Sequence, residues 1–98
     1  NEYFPGTSKK HYSPVKELYI NQKKIRKKSA FIGFGNMKKS EFKNLSSKKN
    51  LKEAASRLYY YFYLADNNDS FETISVAHIP NKGIGIAIND RLERASKK

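Results

Sequence analysis

Residues 72–95 constrain the fold of this chain most, because their apolar spacing changes period across a single turn. Ile74, Val76 and Ala77 belong to a short, β-branched apolar run that Pro80 ends, which predicts a buried strand. Asn81, Lys82 and Gly83 make a turn, and Ile84, Ala87, Ile88, Leu92 and Ala95 then recur as one helical stripe. A strand, a glycine-bearing turn and a helix make half of an α/β unit. The start of such a helix aims unbonded backbone N–H groups at whatever lies above the sheet edge.

The rest of the chain supplies the other half. Residues 1–15 hold Pro5, Gly6 and Pro14 without periodic pattern and read as an extended interdomain arm, a linker belonging to something longer. Residues 16–98 then form one small α/β domain. A first strand is expected at about residues 17–20. Residues 21–28 are polar and basic, and too short for the usual parallel crossover of about a dozen residues. That strand therefore runs antiparallel to the next or lies at a sheet edge. Ala30-Phe31-Ile32-Gly33-Phe34 is apolar on both faces, as an interior strand would be. Residues 36–49 read as a polar connection with anchors at Phe42 and Leu45. Asn50 is a good N-cap, and Glu53 stands where a capping box requires it. Leu51, Ala54, Ala55, Leu58, Tyr61, Phe62 and Ala65 keep helical spacing as far as Asp66-Asn67-Asn68-Asp69. The order β-β-α-β-α predicts a small Rossmann-like, mostly parallel sheet with right-handed crossovers.

Composition narrows the function classes. With no cysteine among 98 residues, disulfides, thiolate zinc sites and cysteine nucleophiles are excluded together, as fits a reducing compartment. No apolar run approaches the ~20 residues needed to span a bilayer, so no membrane partner is expected and the cytoplasm is the default. The formal net charge of +11 favours contact with phosphate. A lysine-rich coding bias accounts for it equally well, because only Lys23, Lys24, Arg26, Lys27 and Lys28 form a real cluster.

Few stretches carry chemistry. Gly83-Ile84-Gly85 lacks the third glycine of a dinucleotide fingerprint, since Ile88 stands there, so a tight turn competes with a nucleotide loop. Asn89, Asp90 and Arg91 lie in the helix's second turn, as structural groups or as ligands for a substrate. His78 reads as a strand-end residue, and with His11 the only other histidine no local metal-ligand set exists. The Tyr59–Tyr63 aromatic run points all round a helix and suits core packing better than base stacking. On the arm, Lys9, Lys10, His11 and Tyr12 place cations, imidazole and phenol together, a set suited to a phosphate.

Pro5-Gly6, His11-Tyr12 and Pro14 together resemble the interdomain linker of two-domain threonylcarbamoyl-AMP synthases, Ser-Pro-Gly-Met-Lys-Tyr-Arg-His-Tyr-Ala-Pro in its common form. Asn44-Leu45-Ser46, the helix from Leu51 to Asp66, Ile79-Pro80, Gly83-Ile84-Gly85 and Ala87-Ile88-Asn89-Asp90-Arg91-Leu92 are similar to that family's smaller C-terminal domain. Ile32-Gly33-Phe34-Gly35 fits a shortened bacterial form. The resemblance implies an accessory domain of an enzyme that makes threonylcarbamoyl-adenylate from L-threonine, bicarbonate and ATP (with magnesium), releasing pyrophosphate, for modification of tRNA. It implies that the catalytic partner is an N-terminal domain of YrdC type, that this chain has no catalytic residue or cofactor of its own, and that Lys10, His11 and Tyr12 close over the nucleotide. Departures are Phe4, Thr7, Ser8, Lys9 and Lys10 in the linker, and Tyr63 where the helix commonly carries Arg. Two alternatives stay open: a stand-alone basic RNA- or tRNA-binding module, and a small nucleotide-binding domain using Gly83 and Gly85.

Overall fold

The computed structural model describes residues 12–36 and 39–97. Four strands, β1 (Glu17–Gln22), β2 (Ser29–Gly33), β3 (Lys43–Asn44) and β4 (Thr73–Ala77), form one sheet in the order β1-β4-β2-β3. All the pairings are parallel. Helix α1 (Leu51–Asp66) joins β3 to β4, and α2 (Ile84–Ser96) follows β4. The expected α/β class and element order hold, with β3 added inside what the sequence presents as a polar connection. Two residues carry too little pattern to announce a strand. They pair because Phe42 N–H and Leu45 N–H donate to the carbonyls of Phe31 and Gly33, both at 2.8 Å.

Of the two placements expected for β1, the edge is the one observed, and β1 runs parallel to β4. The connection to β2 carries no helix, so the dozen-residue expectation does not apply. Six residues of bare chain reach about 20 Å, enough to run diagonally past β4 across two strand spacings of roughly 5 Å each.

The register sorts the side chains onto two faces. Leu18, Ala30, Ile32, Ile74 and Val76 point toward the helices and meet Leu58, Phe62, Ile88 and Leu92 in the core cluster. Tyr19, Ser29, Phe31 and Ser75 fall on the opposite face, where Phe31 is buried and the Ser29 and Ser75 hydroxyls share a 2.6 Å hydrogen bond. The connector covers part of that face, with the Arg26 guanidinium 3.9 Å from the Tyr19 ring centre.

Helix α1 starts where its cap predicts. Asn50 Oδ1 accepts from Glu53 N–H at 2.8 Å, an interaction worth about 1 kcal/mol. The other half of the capping box is rewired. Asn50 N–H donates to Ser46 Oγ at 2.9 Å, and the Ser46 hydroxyl bonds the Glu53 carboxylate, holding it below the usual carboxylate range. In α2 the buried positions are Gly85, Ile88, Leu92 and Ala95 rather than the expected stripe through Ile84 and Ala87, which stay exposed. The rotation follows from Gly85, whose missing side chain lets α2 settle against the Pro80 carbonyl. A Cβ at position 85 would collide with that oxygen. Gly85→Ala should therefore cost about 1–3 kcal/mol and lower the thermal midpoint of the chain by several degrees. An unchanged denaturation curve would show that α2 does not depend on this close approach.

Candidate functional site

The end of the arm is tied to the C-terminal end of α1. Asp66, the last residue of that helix, accepts three hydrogen bonds. Tyr12 Oη donates to Oδ2 at 2.7 Å, Val15 N–H to Oδ2 at 2.8 Å and Lys16 N–H to Oδ1 at 3.1 Å. In return the Lys16 ammonium donates to the carbonyls of Ala65, Asn68 and Phe71 at 2.9, 2.8 and 2.7 Å. Ala65 lies in the last turn of α1, which holds no basic residue of its own, and Asn68 and Phe71 lie in the chain just beyond it, so Lys16 supplies positive charge that this helix end lacks. Pro14 is fully buried between the two contact points, and the Tyr12 ring meets Tyr63 edge-on at 5.8 Å.

This anchor decides the chemistry of Tyr12. Burial first, and then the hydrogen bond to Asp66 and the charge of that carboxylate, push its phenol well above the ordinary tyrosine value. The hydroxyl that the resemblance directs toward nucleotide donates to Asp66. Lys10 and His11, the other two expected contacts, lie outside the described residues.

Asn89, Asp90 and Arg91 are neighbours in sequence but separate in space. Asn89 Nδ2 donates to the Ile79 carbonyl at 2.9 Å and to Asn81 Oδ1 at 3.3 Å, tying α2 to the end of β4. It lines a depression of about 190 Å³ with Asn21 and His78, whose side chains lie 3.1 Å apart. Asp90 and Arg91 instead face a cleft of about 490 Å³ roofed by Tyr12 and Ser13, with Tyr59 and Phe62 of α1 opposite and Arg94 beside them. Asp90 pairs with Arg94 at 3.2 Å, while among the described residues Arg91 bonds the Ala87 carbonyl alone, at 3.3 Å.

Gly83 and Gly85 serve the turn. Gly83 has φ +54°, a conformation that favours glycine, and Gly85 N–H donates to the Lys82 carbonyl at 2.8 Å. The aromatic run of α1 packs as expected, with Phe62 buried and Tyr59 and Tyr61 against the core. Among the described residues, no three His, Asp or Glu side chains come together as metal ligands, and no helix is long and apolar enough to cross a membrane.

Lys16, Asp66 and Arg94 are the site residues that sequence reasoning missed. Asp66 read only as a helix terminator, and nothing local marks Lys16 as its partner. A neutral phenol is the form the fold favours, so Tyr12 contributes stability below pH about 10 and loses it as pH climbs toward its raised value. Ultraviolet titration should show one tyrosine ionising after the others, and Asp66→Asn should bring that tyrosine back toward them. Seven tyrosines titrating together would contradict the anchor.

Residues 1–97 match the family described as threonylcarbamoyl-AMP synthase, C-terminal domain. The comparisons with curated proteins and with solved structures yield no match. The arm, the long helix and the strand–turn–helix that carry the resemblance all fall within the matched span. The chain belongs to the C-terminal domain family of the threonylcarbamoyl-AMP synthases.

Proposed function

We propose that this domain holds a short strap, residues 1–15, against a nucleotide bound on a separate N-terminal catalytic domain of YrdC type. In this reading Lys10 and His11 face the active site where L-threonine, bicarbonate and ATP (with magnesium) become threonylcarbamoyl-adenylate and pyrophosphate, in the cytoplasm. The product then serves the modification of tRNA. Tyr12 is the hinge pin of the strap rather than a substrate contact.

The observation that carries this reading is the double tie between residues 12–16 and the end of α1. Ordering five residues costs about 5–10 kcal/mol of backbone entropy. Hydrogen bonds to charged groups contribute about 1.5–3 kcal/mol each, so the six present here, with buried Pro14, are enough to hold the segment. His11 and Lys10 lie one and two residues before the pinned Tyr12, which keeps them within about 7 Å of it along the chain. A lid gains by excluding water and by bringing positive charge to the phosphates, and both effects need a fixed root.

The test is ATP- and threonine-dependent pyrophosphate release by the two-domain enzyme. His11→Ala and Lys10→Ala should each lower kcat/KM about tenfold or more, the size expected for one charge-assisted contact. Asp66→Ala, which frees the strap while leaving its residues intact, should reproduce most of that loss. Rates unchanged by all three variants would refute the strap.

A second reading rests on a different surface. Lys23, Lys24, Arg26, Lys27 and Lys28 are all exposed, and among the described residues none of them pairs with a carboxylate. This patch suits the phosphates of an RNA such as tRNA. If it engages five of them, log affinity should fall with log salt at a slope of about −4. Undetectable tRNA binding at low salt would remove the reading.

A further inference from the structure

We infer that the cleft beneath Tyr12 and Ser13 is a binding site for a small aromatic anion of the nucleoside monophosphate class. Its volume of about 490 Å³ lies within the range of small-molecule sites, about 300–1,000 Å³. The lining joins two kinds of group. Tyr12 and Tyr59, both half-buried, offer ring surface on which a planar base can pack. Arg91 and Arg94 offer guanidinium groups one helical turn apart on α2.

The charges favour an anion. Two guanidiniums face one carboxylate, and that carboxylate, Asp90, is already engaged by Arg94 at 3.2 Å. Arg91 has no carboxylate partner among the described residues, and its one hydrogen bond, to the Ala87 carbonyl, is 3.3 Å long. Most of its N–H donors therefore face the cleft or water, ready for phosphate oxygens. Asp90 remains able to accept from a sugar hydroxyl beside it. A bare phosphate would leave the aromatic wall unused, and an uncharged nucleoside would leave Arg91 unanswered.

The roof of this cleft is the root of the proposed strap. Tyr12 and Ser13 close it, and the next residues toward the N-terminus are His11 and Lys10. A ligand that packs against Tyr12 from below adds to the forces holding the strap at its root. Regulation of the strap by that ligand rests on the function proposed above, whereas binding at the cleft does not.

Calorimetric titration of the 98-residue chain with AMP, adenosine and inorganic phosphate tests the site directly. AMP should bind, with adenosine and phosphate each at least about tenfold weaker, because each lacks one half of the recognition. Arg91→Ala should weaken AMP about tenfold, and Arg94→Gln by several-fold, with the circular dichroism spectrum unchanged because both residues are exposed. Asp66→Ala, which releases Tyr12, should weaken AMP as well. No heat with millimolar AMP, an affinity indifferent to Arg91→Ala, or phosphate binding as tightly as AMP would each overturn the site. Loss of the catalytic domain's association in Arg91→Ala, without AMP binding, would overturn it by making the cleft an interdomain seat. None of these readings depends on turnover, so failure of the strap in catalysis and failure of this site are distinguishable.

Discussion

The negative end of a helix is a poor place for a carboxylate, and α1 ends on one. Asp66 adds its charge to the negative end of the helix dipole, and the last turn of α1 brings no base to relieve it. The relief comes from Lys16, fifty positions earlier, whose ammonium takes the carbonyls of Ala65, Asn68 and Phe71 while its own N–H donates to Asp66. Because Lys16 directly precedes β1, the exchange also fixes where the chain enters the sheet. The level at which Glu17 meets Thr73 and the course of residues 12–16 are tied to this one exchange of donors and acceptors.

That entry point divides the molecule into two unlike sides. On one side the helices bury Ile32, Ile74 and Val76 under α1 and α2, and the grooves between helices and strap are lined by aromatic rings and arginines. On the other, the sheet is partly covered by the six-residue connector, with Phe31 buried and Arg26 laid over Tyr19. A thin cover cannot hide many charges, so the lysines of the connector stand in water. The shape therefore offers an engineered-looking contrast without any special device: mixed aromatic and cationic clefts on the helix side, plain positive charge on the other. Contacts requiring a defined geometry belong to the first and diffuse attraction to the second.

Sequence pattern reveals the parts of this fold that rest on local repetition. The apolar period of α1, its Asn50 cap and the β-branched run of β4 are each written within a few residues, and each forms where expected. The strand–turn–helix was legible in outline, but the buried face of α2 was not, because a glycine leaves no apolar mark where the backbone must come close to Pro80. Strand β3 escaped notice for the opposite reason: two residues have no period at all. The candidate site was legible only in fragments. Tyr12, Asp90 and Arg91 are brought to one cleft, whereas Asn89, their neighbour in sequence, is tied to Ile79. The partners that complete it, Asp66 and Arg94, read as ordinary helix residues, and long-range pairing has no local signature.

The family's linker pattern can be weighed against this geometry. In a chain segment fixed at one end, the precision with which a side chain is presented comes from the root and decays with each further bond. Lys10 and His11 are close enough to the pinned Tyr12 for that precision to reach them, while Phe4, Thr7 and Ser8 are several residues further from it. Positions 4, 7 and 8 are further from that root along the chain than positions 10 and 11. Lys for Arg at position 10 is different. It keeps the charge but gives up the bidentate fork, and a point charge tolerates more positional error than a fork does. The change at position 10 and the edge-on Tyr63 against Tyr12 act in the same direction, one relaxing what the tip must satisfy and the other stiffening the root from which it is held.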